Sequence, residues 1–409
     1  IVNFGDNDTF PLWYAQEVEG VRKDVRVMNM SYLGGEWYVD QMKIKSNDSD
    51  PVPFNLPRNK YTYKNEAVYV KEVFKSATGK QVIDEWIAGN NPRTKLSDGV
   101  EQFDYIPTRK IAIPVNKENA IASGIVRPED AHLMVDTVYL NIKKDYILRN
   151  GLMLIDLLSH FDWKRPIYFT QLLDLDDYGL LDYLQQDGFV YRLVPIVTPP
   201  KEGLSFGRID TEELYDILMN KYSYGNLSDP DVYADQTIQT NVNSPYIRLQ
   251  FARLANELVA AGDTTRAIEA LDRVVKEIPF SQIRHNFQTH YLIEAYYNAG
   301  AYDKGNAILE EYARILEEYM DYYLQFKGKY RGLIFSQLNE KYTDLTNLYT
   351  LARAYGQQEQ AYGIETFLRK HGLIEDQTEP VDEQNVPMEG QDSLAELQSD
   401  SAKVQSGQE

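Results

Sequence analysis

The chain carries one dense run of oxygen-bearing side chains near its start, Asp6-Asn7-Asp8-Thr9, entered from Gly5. Hard cations prefer carboxylate and amide oxygens, so Asp6 and Asp8 with Asn7 between them can hold a divalent cation. The same groups can bond the hydroxyls of a sugar. Trp13 and Tyr14 follow shortly, and Trp37, Tyr38 and Asp40 lie a little further on. Aromatic faces stack on sugar rings, and tyrosine hydroxyls supply a polar tip. These nine residues form the candidate ligand-binding set; none is assigned a catalytic role. A structural reading competes: Asp8 or Thr9 caps a helix opened by Pro11, while Gly5 and Asn7 supply turn geometry. Core filling accounts equally for the Trp and Tyr residues.

Other chemistry is sparse. The histidines, His132, His160, His285, His290 and His371, form no metal-binding pair at helical i,i+4 spacing. Gly34-Gly35 follows an apolar run but lacks the further glycine and the Lys of a phosphate loop. No Gly-x-Ser-x-Gly elbow occurs. Acidic residues are abundant, yet spacing does not single out a pair for acid–base work on a glycosidic bond. Cysteine is absent, which removes disulfides, thiolate catalysis and Cys-ligated metals together. A net charge of -20 argues against a nucleic-acid partner, because phosphate recognition needs clustered Lys and Arg.

The elements that must position these residues read in two blocks. Residues 1–205 read as an α/β domain with a Rossmann-like mixed sheet. Its expected strands are Ile1–Phe4, Val25–Leu33, Lys110–Pro114, Pro166–Thr170 and Phe189–Val197, each rich in β-branched or aromatic residues. Expected helices, Pro11–Glu19, Gly79–Ala88 and Asn150–Phe161, lie between them. The first strand, loop and helix make a β-loop-α-β unit, and the polar loop sits at the strand's carboxyl end, where open α/β sheets bind ligands. The Pro- and Asn-rich stretch 47–64 reads as a long excursion.

Residues 206–372 read as an all-α, tetratricopeptide-like helical repeat domain. Phe251, Leu254, Ala255, Leu258, Gly262, Ala267, Leu271 and Pro279 fall at the spacing of such a helix pair. Degenerate copies turn at Gly300 and Gly356. Tyr291, Tyr296, Tyr297, Tyr319, Tyr322 and Tyr323 recur at roughly helical spacing, as inter-helix packing or as the wall of a peptide groove. Residues 373–409 form an acidic tail with few large apolar residues, expected to be disordered. The longest apolar run, from Gly151 to Leu158, is interrupted by Asp156 and falls far short of a membrane span.

A resemblance sharpens the picture. The string Gly5-Asp6-Asn7-Asp8-Thr9-Phe10-Pro11-Leu12-Trp13-Tyr14 continues through Gln16-Glu17-Val18-Glu19-Gly20-Val21-Arg22 and Asp24-Val25-Arg26-Val27. It resembles the post-membrane region of a family of multi-spanning bacterial membrane proteins. That family is catalogued under a domain of unknown function and grouped with protein O-mannosyltransferase-like enzymes. Trp37-Tyr38-Val39-Asp40-Gln41, Lys164-Arg165-Pro166-Ile167-Tyr168-Phe169-Thr170 and Tyr191-Arg192-Leu193-Val194-Pro195 look like later landmarks of the same region. The resemblance implies a parent with an N-terminal membrane bundle and this chain as its extracytoplasmic, periplasmic part. It also implies a polyprenyl-phosphate-sugar-dependent glycosyltransferase whose catalytic acid lies in a loop of that bundle, outside this chain.

Three functions follow as expectations. The first is an accessory binding region without a catalytic centre, partnered by its own membrane domain. A protein or peptide would then sit on the helical repeats, and a glycan is a further candidate ligand. The second is a free-standing sugar-active or metal-dependent enzyme built on the Asp6–Thr9 loop. The third is a scaffold acting through helical repeats alone.

Overall fold

The computed structural model describes residues 1–62, 65–97, 99, 102–172, 174–198, 207–240 and 244–374. The acidic tail expected to be disordered lies, from residue 375 onward, outside the described residues. The chain divides into two compact units, Ile1–Tyr222 and Ser223–Glu409. All four tryptophans, Trp13, Trp37, Trp86 and Trp163, belong to the first.

The first unit opens with β1 (Val2–Asn3), α1 (Asp6–Glu17), β2 (Met28–Asn29) and α2 (Glu36–Met42). Strands β3 (Ala67–Val70), β4 (Ala77–Thr78), β5 (Lys95–Ser97), β6 (Gln102–Ile106) and β7 (Lys110–Pro114) follow, with a π-helical turn, Gln81–Ala88, after β4. Then come α3 (Lys117–Ala122), β8 (Thr137–Asn141), β9 (Tyr146–Leu148) and α4 (Arg149–Ser159). The unit closes with β10 (Tyr168–Phe169), β11 (Leu184–Asp187), β12 (Val190–Leu193) and α5 (Thr211–Asp216).

The sheet that carries the first loop is mixed, with order β11-β12-β10-β1-β2. β1 runs parallel to both β2 and β10, whereas β10–β12 and β12–β11 are antiparallel. So the β-α-β start is real, and the Rossmann likeness is confined to it. Two further sheets, β5-β6-β3-β9 and β4-β7-β8, were not anticipated as sheets, although β7 is the expected strand Lys110–Pro114. Their strands are short, and β3 alternates exposed and buried residues over only four positions, too few to register as a pattern.

Local boundaries also differ. Only Met28–Asn29 of the expected strand 25–33 pairs with a neighbour; Tyr32–Gly34 turns instead into a 3-10 helix. The first helix begins at Asp6, not at Pro11, which lies inside it. The excursion after residue 47 is pinned to the core, with Leu56 and Tyr61 fully buried. Helix α4 threads the centre, and every residue in it except Asn150 is buried. Its fully enclosed Asp156 carboxylate accepts the backbone N–H groups of Asn55 and Leu56 at 2.9 Å, which fastens the excursion to the core.

Every regular element of the second unit among its described residues is a helix: α6 (Gln236–Thr240), α7 (Ser244–Ala260), α8 (Thr264–Glu277), α9 (Thr289–Asn298), α10 (Tyr302–Tyr323), α11 (Lys329–Leu333), α12 (Phe335–Ala354) and α13 (Gln358–Lys370). The pairs α7–α8, α9–α10 and α12–α13 each turn on one glycine, Gly262, Gly300 and Gly356, with φ of +84°, +73° and +71°. No atom outside the local chain lies within 4 Å of where a Cβ would stand, so backbone conformation alone demands glycine there. Phe251, Leu254, Ala255, Leu258, Ala267 and Leu271 are all fully buried between the first pair.

One stack holds the interior of this unit together. The buried Arg248 guanidinium lies 3.9 Å from the Phe280 ring centre, and Phe280 stacks on His285 at 3.8 Å. His285 stacks in turn on Tyr312 at 4.8 Å, and the Tyr312 hydroxyl donates to Asp344 at 2.7 Å. Burial first, and then the Arg248 charge, push the His285 imidazole down to about 3, so it sits neutral in the stack.

Candidate functional site

The polar loop is built from the ends of two parallel strands. β1 and β2 close on Asn3 and Asn29, paired in register and both fully buried. Gly5 is the N-cap of α1, and Asp8 is the third helical residue. From there the Asp8 carboxylate reaches back to accept the N–H of Gly5 at 2.8 Å and of Phe4 at 3.0 Å. This is the return half of a capping box. The same carboxylate accepts the hydroxyl of Thr170 and, at 3.3 Å, the amide of Gln171.

Four donors therefore converge on Asp8, which is only 8% exposed. Three of the donors fall on Oδ2 and one, the Gly5 N–H, on Oδ1, so most of the roughly four lone-pair sites of this carboxylate are spent inside the chain. Thr9 is equally committed: its hydroxyl donates to Gly5 O at 2.6 Å and accepts from Asn29 Nδ2 at 2.8 Å. The amide of Asn3 donates to Asp8 O, and Asn29 Oδ1 accepts the Tyr32 N–H at 3.1 Å. Asp8 does cap a helix, but that helix starts before it, whereas the Thr9 hydroxyl caps no N–H group.

The remaining candidates separate. Asp6 is exposed at the first turn of α1 and accepts the Tyr32 hydroxyl at 3.0 Å; Asn7 is exposed beside it. Around Tyr32 the aromatic residues do assemble. Trp13, Trp37 and Tyr38 lie 6.1, 6.4 and 5.6 Å from its ring centre, and Phe10 extends the row 5.7 Å beyond Trp13. Trp37 is 57% exposed, whereas Tyr38 is buried and its hydroxyl accepts the Asn29 N–H at 2.9 Å. Tyr14 points to solvent away from this row. Asp40 belongs to another cluster, accepting Arg58 Nε at 3.0 Å and the Tyr61 hydroxyl at 2.8 Å. Burial first, and then Asp40, push the Tyr61 phenol up.

Sequence reasoning missed Asn3, Asn29, Thr170 and Gln171, the groups that consume the loop. A signal existed: two short apolar strands end on the same amide residue at their sheet-edge positions. It also passed over a cavity on the flank of this region, with Trp13 and Tyr38 in its wall beside Lys23, Arg26, Gln41 and Asn47.

A second titratable cluster sits on α4. His160 Nδ1 lies 2.9 Å from the main-chain oxygen and 3.0 Å from the carboxylate of Asp156, while Nε2 lies 3.1 Å from Asp84 Oδ1. The Asp156 hydrogen bond, against the opposing pull of burial, raises His160 to about 9. It is an imidazolium clamped between two carboxylates, and its bonds close inward. Among the described residues, no group of three or more His, Asp or Glu side chains is arranged to hold a metal ion.

The fold and the loop thus define a mixed α/β module, with a helical unit following in the chain, whose most polar loop is spent on its own packing. Residues 1–213, more than half of the chain, match the family described as TMEM260-associated domain 2, and the chain belongs to that family. The family is linked to a membrane protein. No described helix is long and apolar enough to cross a membrane. No curated protein and no solved structure matches the chain.

Proposed function

We propose that this chain is the extracytoplasmic accessory region of a bacterial inner-membrane glycosyltransferase, with its own membrane domain as first partner. The catalytic acid would lie in that membrane domain. The observation that supports an accessory rather than a catalytic role is Asp8: the best-placed carboxylate of the loop is buried and engaged by four internal donors. A free-standing enzyme centred on Asp6–Thr9 would need that carboxylate open to substrate.

The helical unit would bind a protein or peptide in the manner of tetratricopeptide repeats. Three glycine-turned helix pairs support this, as does the split of the tyrosine stripe. Tyr296 and Tyr297 fill the core, whereas Tyr319, Tyr322 and Tyr323 cluster at the end of α10 with centroid distances of 6.1 and 5.6 Å. Tyr319 and Tyr322 are exposed, a rim that suits recognition.

The test compares the isolated chain with the full-length membrane protein, each given a polyprenyl-phosphate sugar and an acceptor polypeptide. The isolated chain is expected to transfer and hydrolyse nothing. Removing it from the full-length protein is expected to lower transfer without abolishing donor binding. Sugar turnover by the isolated chain would overturn the proposal.

A further inference from the structure

We propose that the cavity flanking α1 and α2 binds a ring-sized organic anion, held through Arg26 and Lys23. The cavity measures about 150 Å³. A space of that size accommodates a single six-membered ring. Its wall combines the aromatic residues Trp13 and Tyr38 with the polar residues Gln41 and Asn47.

Arg26 supplies the first charge of the wall. This residue is only 8% exposed, yet no carboxylate lies within ion-pair distance of it among the described residues. Its Nη2 donates to the carbonyl of Ile44 at 2.6 Å and to those of Ser49 and Asp50 at 3.4 Å. Its Nε is enclosed without a partner. A guanidinium presents five N–H donors in a planar fork, and the carbonyls occupy one nitrogen of it. Buried charges are ordinarily paired, because desolvating a lone ion is costly. Here three carbonyls fix the guanidinium in the cavity wall, and no carboxylate of the described chain answers its charge.

Lys23 adds a second cation to the wall and makes no ion pair among the described residues. The acidic member of the wall is Glu17, which accepts from Asn47 Nδ2 at 2.8 Å at the exposed margin. Two cations against one carboxylate make a positive pocket in a chain whose net charge is -20. With Nη2 held by carbonyls and Nε enclosed, Nη1 is the guanidinium nitrogen left to donate to a carboxylate or a phosphate oxygen. Gln41 makes no side-chain hydrogen bond among the described residues and is free to meet a hydroxyl. A neutral ring would leave Arg26 unanswered, and a bare ion would leave most of the volume empty.

The experiment is calorimetric titration of the whole chain with glucuronate, glucose 6-phosphate, glucose and inorganic phosphate. At least one ring anion is expected to bind saturably, and at least tenfold more tightly than glucose or inorganic phosphate, as a charge-assisted hydrogen bond implies. Which of the two binds tells carboxylate from phosphate. Added salt should weaken that binding, and Lys23→Gln should weaken it roughly 3- to 10-fold. Arg26→Met should abolish it; because Arg26 also ties down the 44–50 carbonyls, Lys23→Gln and the salt series decide the matter if that variant fails to fold. Equal affinity for glucose overturns the proposal, as does equal affinity for inorganic phosphate, which would mark an adventitious ion only. Indifference to Lys23→Gln, or no binding of either ring anion at millimolar concentration, overturns it too.

Discussion

Asp8→Ala separates a loop built for packing from a loop built for a ligand. The substitution deletes the acceptor of four donors while leaving backbone geometry allowed for alanine. Thr170 and Gln171 can swing toward water, but the N–H groups of Phe4 and Gly5 are fixed in the chain. Leaving a buried donor unsatisfied costs about 1–3 kcal/mol, and loss of a helix cap costs about 1 kcal/mol. Taking the low end for each backbone donor, the first unit should lose about 2–4 kcal/mol. For a unit of this size that corresponds to a fall in melting temperature of roughly 5–15 °C. Asp8→Asn keeps one acceptor oxygen and should lose about half as much. Asp6→Ala, which removes one exposed bond to Tyr32, is the control and should melt like the parent. Scanning calorimetry of the three variants provides the measurement. If Asp8→Ala melts with the parent while some binding or turnover disappears, the carboxylate faces a ligand and the packing argument is wrong.

Three further outcomes are expected. His160 is raised from 6.5 to about 9 by its carboxylate neighbours, so its stabilising contribution is complete below pH 6.5 and is lost as pH rises through 9; His160→Gln should flatten the alkaline limb of the first unit's stability curve. His285 is depressed from 6.5 to about 3, so its contribution is complete above pH 6.5 and is lost as pH falls toward 3. His285→Phe keeps the stack between Phe280 and Tyr312, removes two ring nitrogens that have no hydrogen-bond partner, and should leave stability at neutral pH unchanged or higher in urea unfolding. Gly262→Ala forces a side chain into φ of +84° and should cost about 1–2 kcal/mol by strain alone, with Gly300→Ala behaving alike.

What could be read from the residues followed the strength of their periodicity. Helix α4 and the α7–α8 pair have long apolar patterns: the limits of α4 fell within two residues of expectation, whereas α7 starts at Ser244, ahead of the expected Phe251. The strands that escaped notice, such as β3 and β9, are three or four residues long and exchange neighbours far apart in the chain, so no local pattern marks them. Pro11 misled the start of α1, because proline is most at home in a first turn; here Gly5 and Asp8 provide a stronger start five residues earlier. The candidate site was half legible. Trp13, Trp37 and Tyr38 do assemble, around Tyr32, since these neighbours in sequence stayed neighbours in space. Local sequence could not show that Thr170, more than a hundred and sixty residues away, would cover Asp8. Arg26 was visible as a lone cation in an apolar run, but its want of a counter-ion is a three-dimensional property.

The placement of the tryptophans has a practical consequence. The first unit holds every one of them and residues 223–409 hold none. Indole emission therefore follows the unfolding of one unit, while far-ultraviolet ellipticity, carried mostly by α7–α13, follows the other. Alkali acting through His160 should move the emission first, and acid acting through His285 should move the ellipticity first. The native protein reports on its two halves in two separate optical channels, with no dye attached.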